Sequence, residues 1–441
     1  MTTTDSDLTP AATDIAQGSD EDLRSYFSAY IRRVRGGDMG SLPAVGALIV
    51  LVAVFSVVDS AFFSLGNLSN LITQAAPGVL LAMGVVFILL LGEIDLSAGV
   101  TSGVGASIVA VLLSKSWPWP LACLVALAAG AVIGLFIGWM RTKVRVPSFV
   151  TTLALFLALQ GVVILIVNTT GASGALSYNN KTLDALENSL MPVWLGWVIA
   201  VLIVAGFAAA QLRRVIARRR RGLPVEPSVV VAAKIIGCAV IVFGATALLN
   251  INQNSGAAPG ITQTASGQLV QTKAPTLQGV PWVVPLVLAL VVFLGFILNR
   301  TRYGRHIYAV GGNDEAARRA GIRVDAVRVS VFVIGSVLAM VSGIVLGSEY
   351  GVSQQTGNGN TLLLAVGAAV VGGTSLFGGK GKITDALIGG LVVAVIINGM
   401  SDLLQGKNNA AYQAIVTGIV LALAATVDAL SRRRAGSTGI G

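Results

Sequence analysis

Residues 121–140 read LACLVALAAGAVIGLFIGWM, twenty residues without a charge, and residues 141–145 then read RTKVR. A helix needs about 20 mainly apolar residues to cross a bilayer, and basic residues beside a spanning helix mark its cytoplasmic end. This stretch therefore predicts a transmembrane helix whose C-terminal end faces the cytoplasm.

The composition of the whole chain points the same way. Of its 441 residues 54% are hydrophobic and only 11% are charged, whereas a soluble domain carries about 25% charged residues. This excludes a water-soluble globular enzyme and a disordered chain. Cys123 and Cys238 both lie inside apolar runs, which favours packing roles over a disulfide framework.

Further apolar runs repeat this pattern along the chain. They predict an all-α polytopic membrane protein with about 10–12 transmembrane helices. Two runs, 77–91 and 362–373, are short and end at glycines, which is typical of broken helices that line a substrate path. The runs are 42–58, 77–91, 98–113, 121–140, 149–167, 193–210, 235–249, 282–298, 329–347, 362–373, 383–404 and 410–430.

The distribution of basic residues predicts that both termini are cytoplasmic. With the N-terminus inside, all but four of the 30 Lys and Arg residues fall on the cytoplasmic side, a strong positive-inside bias. The net charge of +10 is then a topology signal, and no nucleic-acid partner is expected, since no basic-aromatic module is present. The four exceptions are Lys115, Lys181, Lys273 and Lys407.

The runs also divide the chain. We expect a partly disordered cytoplasmic segment at 1–40, a transmembrane domain at 41–430 and a cytoplasmic tail at 431–441. Within the domain, 193–250 is an apparent two-helix insertion with a basic loop, and 300–328 is a charged cytoplasmic segment.

Five polar residues are candidates for the substrate pathway. Glu93 and Asp95 lie between apolar runs, where a charge costs about 2.5–3.5 kcal/mol at the bilayer centre. They either line a path or gate, or form a tight turn at the cytoplasmic edge in which Asp95 or Ser97 caps the next helix. Gln160 and Asn398 lie mid-helix and either contact a hydroxylated solute or bond to neighbouring helices.

A search for catalytic residues finds none. His306 is the sole histidine and lies in a basic stretch, no Cys/His cluster has zinc spacing, and no Gly-Lys pair fits the phosphate-binding loop G-x-x-x-x-G-K-[ST]. We therefore expect a protein that is not an enzyme, holds no metal or cofactor, and does not bind ATP through such a loop.

Residues 311–322, GGNDEAARRAGI, predict a short cytoplasmic helix. Asn313 or Asp314 can cap a helix that starts near Glu315, and Gly321 can end it. Such a helix suits a soluble partner, although an ordinary capped surface helix fits the local physics equally well.

Four sequence motifs resemble those of one known family, and they follow one another along the chain in the order that the family has. Glu315-Ala316-Ala317 followed after three residues by Gly321 resembles the coupling segment of ATP-binding-cassette importer permeases. The run 302–322 around it, together with 92–97, 146–153 and 372–379, is similar to the sugar permeases of the ribose, xylose and galactose systems. The extra length at 193–250 resembles xylose-type permeases.

The resemblance implies a function and partners. It implies the permease subunit of a monosaccharide importer in a bacterial cell membrane, with a pentose such as xylose as substrate. Two copies would form the pathway, an extracytoplasmic sugar-binding protein would deliver the sugar, and cassette ATPases would dock at Arg305 and along Glu315, Ala316, Ala317 and Gly321.

Two departures from the family pattern stand out, and an alternative function remains open. Glu93 replaces a glycine that is usual in the family, and 361–364 replaces an acidic, Ala-rich opening. The alternative is a proton-coupled secondary transporter of a small polar solute, with Glu93 and Asp95 as a proton relay.

Overall fold

The computed structural model describes residues 41–59, 62–170, 175–223, 225–251, 260–263, 269–272, 277–403, 411–419, 422–423 and 426. The expected segments 1–40 and 431–441 lie outside the described residues, as does most of the second half of the run 410–430. Residues 411–419 of that run are helical.

The regular structure of the described residues is helical apart from four short strands. Its helices are α1 Leu42–Val58, α2 Leu65–Leu90, α3 Ala98–Ser114, α4 Trp119–Trp139, α5 Ser148–Thr170, α6 Lys181–Asn188, α7 Val193–Arg220, α8 Ser228–Leu249, α9 Val283–Arg300, α10 Arg302–Gly312, α11 Asp314–Arg319, α12 Val324–Tyr350, α13 Gly359–Gly372 and α14 Ile383–Leu403, with a π-helical turn at Met140–Val144. The strands are β1 Ala175–Leu176, β2 Gly260–Gln263, β3 Leu269–Thr272 and β4 Val352–Ser353.

The number of apolar helices confirms the predicted fold class. Within the described residues, eight helices are long and apolar enough to cross a membrane, and α1, α3 and α13 are shorter apolar helices. Their sum lies within the predicted range. The short run at 362–373 is indeed a short helix, α13, which ends where Gly373 adopts a left-handed conformation.

The run 77–91 is not a short helix, and here the prediction was wrong. Helix α2 continues back to Leu65 through Pro77 and is 26 residues long. Polar residues in its first half interrupt the apolar pattern, but they are bonded to α14: Asn398 exchanges hydrogen bonds of 2.8 and 2.9 Å with Asn67 and donates to Gln74 at 3.4 Å. At Pro77, inside this helix, Ser342 Oγ donates to the Pro77 carbonyl at 2.7 Å.

Helix α12 is the centre of the bundle and packs against α2, α3 and α4. The contact with α4 is close because Gly130, Gly134 and Gly138 lie on one face of α4. A Cβ at any of them would lie within 2.7 Å of an atom of α12. Small residues at this spacing let helices approach closely in lipid.

Helices α7 and α8 form a peripheral hairpin. They pack mainly against each other and only lightly, through α8, against α2. Only 11% of the most apolar window of each is buried. The hairpin covers the segment 193–250, for which the sequence predicts a two-helix insertion, and most of its apolar surface is exposed.

The two ends of the bundle differ, and they are called the outer end and the inner end after the predicted topology alone. At the outer end, β1 pairs with β4 in antiparallel register, Ala175 opposite Ser353, next to α6; β2 and β3 form a separate hairpin. At the inner end, the loop 91–97, the π-helical turn, the loop 373–382 and α11 come together.

Candidate functional site

The inner end brings together three glycine segments that lie far apart in the sequence. The Gly379 amide donates to the Leu90 carbonyl at 2.9 Å. A Cβ at Gly311 would lie 1.7 Å from that same oxygen, and one at Gly378 would lie 2.9 Å from the Gly92 amide nitrogen. Only residues without a side chain allow these backbones to touch.

The motif 146–153 joins this cluster through two hydroxyl groups. Ser148 Oγ donates to Glu93 Oε2 at 2.7 Å, and Thr152 Oγ1 accepts from the Leu96 amide at 3.0 Å. All four motifs singled out in the sequence therefore meet at the inner end.

Glu93 lies between two arginines. Its side chain is only 6% exposed, and its oxygens lie 2.8 and 3.0 Å from Arg141 Nε. Arg328 Nε is 3.3 Å from Glu93 Oε1. Two guanidinium groups and one hydroxyl donor thus surround the buried Glu93 carboxylate, and these contacts offset the cost of burying it.

Asp95 and Ser97 form a tight turn between α2 and α3. Asp95 Oδ1 accepts from the Ser97 amide at 2.8 Å and from Ser97 Oγ at 2.6 Å. Thus Asp95 organises the turn, whereas the Ser97 side chain makes no capping bond to α3. Both residues are buried.

The other two pathway candidates lie elsewhere. Asn398 is buried and bonded to α2, as described above. Gln160 is half-buried on α5. The structure therefore does not bring the five pathway candidates into one site.

The predicted cytoplasmic helix is present as α11 and is capped as expected. Asn313 Oδ1 accepts from the Ala316 amide at 2.9 Å, and Gly321 follows the helix with a positive φ of 83°. Arg305, Glu315, Ala316 and Gly321 are exposed. Ala317 is buried in the core, so it packs α11 onto the bundle and does not form part of a contact surface.

Helix α11 is tied to Glu93 through one arginine. Arg328 Nη2 donates to Asp314 Oδ2 at 2.8 Å, while the same guanidinium pairs with Glu93. A second pair, Arg318 with Asp325 at 3.2 Å, connects α11 to the start of α12. Motion of α11 is thus mechanically connected to the end of α2.

A groove lies beside α11. Its volume is about 400 Å³, and Tyr303, His306, Gly321, Arg323 and Val327 are among its lining residues. Its lining combines apolar side chains with polar and basic ones, which suits the docking of a soluble protein.

Sequence reasoning missed the partners of these residues. Arg141 is the first basic residue after the uncharged stretch 121–140, yet it was counted only as a topology signal. Arg328 lies at the start of an apolar run. Asp385 was also missed: it accepts from Thr374 Oγ1 at 3.1 Å and from the Lys382 amide at 2.8 Å, and it organises loop 373–382 much as Asp95 organises loop 91–97.

Eight described helices long and apolar enough to cross a membrane define a polytopic membrane protein. The chain matches the family described as branched-chain amino acid transport system / permease component, over residues 67–191 and 172–425. The chain belongs to this permease family, whose members are transport components rather than enzymes.

Individual relatives confirm the resemblance found in the motifs. The xylose transport system permease protein of Escherichia coli (strain K12) is 34% identical over 394 residues, 88% of this chain and 92% of the relative. The corresponding protein of Haemophilus influenzae is 33% identical over 88% of this chain and 96% of its own length. The ribose import permease protein of Escherichia coli (strain K12) is 30% identical over 87% and 91%. No solved structure matches the chain significantly.

Proposed function

We propose that this chain is the permease subunit of an ATP-binding-cassette importer for a pentose, with xylose as the leading substrate. The observation that carries the proposal is the convergence of the four motifs around α11. The similarity to xylose and ribose permeases supports a sugar, and the α7–α8 insertion together with the higher identity favours xylose over ribose.

In this proposal two copies form the translocation pathway across a bacterial cell membrane. A sugar-binding protein delivers the sugar at the outer end, and an ATPase docks at the inner end. The exposed residues Arg305, Glu315, Ala316 and Gly321 contact the ATPase in and beside the 400 Å³ groove.

Switching between open states follows from the ion pairs. When the ATPase moves α11, the Asp314–Arg328–Glu93 connection transmits the displacement to α12 and to the end of α2. Because α12 packs against α2, α3 and α4, a tilt of α12 changes the arrangement of the central helices. In this proposal Asp95, Ser97, Gln160 and Asn398 contact the passing sugar at separate points along the pathway, and Glu93 steadies the gate at its inner end.

The decisive experiment is reconstitution of the chain with a cassette ATPase and a sugar-binding protein encoded beside it. We expect ATP hydrolysis to be stimulated by xylose, and more weakly by ribose. If ribose stimulates ATP hydrolysis and xylose does not, the substrate is ribose instead of xylose. Failure of every pentose to stimulate hydrolysis, in a complex that does assemble, would overturn the sugar assignment.

Docking is tested separately with Glu315→Lys and Gly321→Asp. Both positions are exposed, so the variants are expected to insert normally, to lose capture of the ATPase and to lose uptake. Glu226→Lys is the matched control, because Glu226 is also a partly exposed glutamate in a single ion pair, with Lys234 at 2.5 Å. Normal uptake and normal ATPase capture by the α11 variants would refute the docking site.

The alternative of a proton-coupled secondary transporter is not favoured. Glu93 is engaged by two arginines, which leaves it poorly suited to relay protons, and the relatives are transport-system permeases. Vesicles that contain this chain alone should not accumulate sugar on a proton gradient without nucleotide; uphill accumulation there would establish the alternative.

A further inference from the structure

A cleft on the side of the inner end carries three cationic side chains from three different segments. Arg214 belongs to α7, Arg300 is the last residue of α9, and Lys382 comes directly before α14. The cleft has a volume of about 610 Å³, and its apolar wall includes Val292 and Phe296 of α9.

The three cationic side chains of this cleft form no ion pair with an acid among the described residues. Among the described residues, none of these three side chains lies within 4.0 Å of a carboxylate; the ion pairs there involve other residues, namely Glu93, Glu226, Asp314, Glu315 and Asp325 with their basic partners. Asp385 is close enough to Lys382 to interact with it electrostatically. Its Oδ2 already accepts hydrogen bonds from Thr374 Oγ1 and from the Lys382 backbone amide. All three cations are exposed.

The wall of the cleft is an exposed apolar surface of α9. Val292 is 71% exposed, and Phe293 and Phe296 are each 59% exposed. Apolar side chains with this exposure on a spanning helix contact acyl chains. Because Arg300 ends α9 and Lys382 directly precedes α14, the predicted topology places both cations at the depth of the headgroups in the inner leaflet.

We propose that this cleft binds an anionic phospholipid from the leaflet at the inner end. The phosphate contacts Arg214, Arg300 and Lys382, and an acyl chain lies along α9. Basic pockets between transmembrane helices on the cytoplasmic side suit such headgroups. A free phosphate would use the cations but gain nothing from the exposed apolar wall, so a lipid is the better fit.

The bound lipid would have a structural consequence. The α7–α8 hairpin has few direct contacts with the bundle, and the cleft joins α7 to α9 and to the start of α14. A phospholipid in this position would bridge the peripheral hairpin to the core of the permease.

The test is a lipid titration of the purified full-length chain, followed by native mass spectrometry. The probes are phosphatidylglycerol, cardiolipin and, as a neutral lipid, phosphatidylcholine. We expect the anionic lipids to bind in preference to phosphatidylcholine. Each basic residue near an anionic surface contributes about 1 kcal/mol, so the triple variant Arg214→Gln/Arg300→Gln/Lys382→Gln should bind about 100-fold more weakly.

The control removes the same charge elsewhere on the hairpin. Arg218→Gln/Arg219→Gln/Arg220→Gln lies at the end of α7, outside the cleft, and should change the affinity by less than about threefold. If this control weakens binding as much as the cleft variant, a diffuse basic surface binds the lipid and the proposal is overturned. It is also overturned if the cleft variant binds normally.

Two further measurements separate the remaining outcomes. In the first, millimolar inorganic phosphate competes with the bound anionic lipid. If phosphate displaces it as well as a second lipid does, the cleft is a site for free anions and the lipid assignment is overturned. If the triple variant fails to fold, single variants at the exposed Arg214 decide: Arg214→Gln should weaken binding about fivefold and Arg214→Lys should restore it, and equal binding by both would refute the proposal.

Discussion

Glu93 at the inner end and Glu187 at the outer end are buried to the same extent, each with 6% exposure, yet their surroundings are opposite. Glu93 is surrounded by Arg141, Arg328 and Ser148. Neither carboxylate oxygen of Glu187 has a hydrogen-bond partner among the described residues. Burial and the nearby Glu349 raise the pKa of Glu187 to about 9.

The comparison shows two physical solutions to a buried carboxylate. Where the fold supplies arginines, as at Glu93, the carboxylate forms ion pairs that connect several segments. Where it supplies none, the group takes up a proton, because an isolated buried charge is costly. The inner end is therefore held by ion pairs, whereas the packing of α6 on α12 at the outer end depends on protonation.

The largest effect is expected from a side chain in the glycine junction of the inner end. In Gly311→Ala the new Cβ would lie 1.7 Å from the Leu90 carbonyl, so α10 and α11 must move away from α2. We expect a loss of more than about 4 kcal/mol of stability, seen as loss of folded protein after detergent extraction. Gly312→Ala is the matched control, since nothing lies within 4 Å of its added Cβ; equal behaviour of the two variants would contradict the junction.

The next largest effect concerns the arginine that joins Glu93 to α11. Breaking a buried pair costs about 3–5 kcal/mol, and Arg141 remains next to Glu93, so Arg328→Gln should destabilise by about 2–3 kcal/mol. Thermal unfolding in detergent measures this. Adding Glu93→Gln to the Arg328→Gln variant should restore at least about 1 kcal/mol of the lost stability, because the unpaired charge is then removed. If the stability losses of the two substitutions simply add, Arg328 and Glu93 are not coupled. Arg319→Gln, in a pair with Glu315 that is 79% and 73% exposed, should cost little.

The outer end is tested by pH. The folded-state pKa of Glu187, about 9, lies above its ordinary value of 4.5, so the folded chain binds the proton more tightly than the unfolded chain. The contribution of Glu187 to stability is therefore fully present below pH 4.5. It is lost as the pH rises towards 9, by at most about 1.4 kcal/mol per pH unit. Glu187→Gln should flatten this dependence and raise stability at neutral pH, as followed by unfolding from about pH 5 to about pH 8.

A matched variant controls for other titrating groups at the outer end. Asp184 is exposed on the same helix α6, and Asp184→Asn should leave the pH dependence in place. If Glu187→Gln keeps the slope of the parent chain, the buried carboxyl is not the group that titrates.

The smallest effect is expected at the exposed end of the inner connection. The Arg328 guanidinium holds the pKa of Asp314 below its ordinary value of 3.8, so the contribution is present above that value and is lost as the pH falls through the lower folded-state pKa. Since Asp314 is 51% exposed, Asp314→Asn should cost only about 0–1 kcal/mol at neutral pH, less at high salt. A cost above 2 kcal/mol would show that this pair is more shielded than its exposure indicates.

Local patterns were sufficient for the helices and for α11. An apolar run of 20 residues has few alternatives to a spanning helix, and Asn313 and Gly321 mark the ends of α11 through interactions within one turn. The start of α2 was missed because its polar residues are satisfied by Asn398, which is distant in sequence. The same limit applies to Glu93: its two arginines come from α12 and the π-helical turn.

Membrane residence, helical class and the approximate number of spans follow from the order of residues alone, because hydrophobicity and helix caps act over short distances. The surroundings of Glu93 and Glu187 depend on segments that meet only after folding. These segments decide that Glu93 is paired with arginines and that Glu187 is not. Charge interactions in a buried site depend on distance and desolvation, and neither quantity can be read from the spacing of residues along the chain.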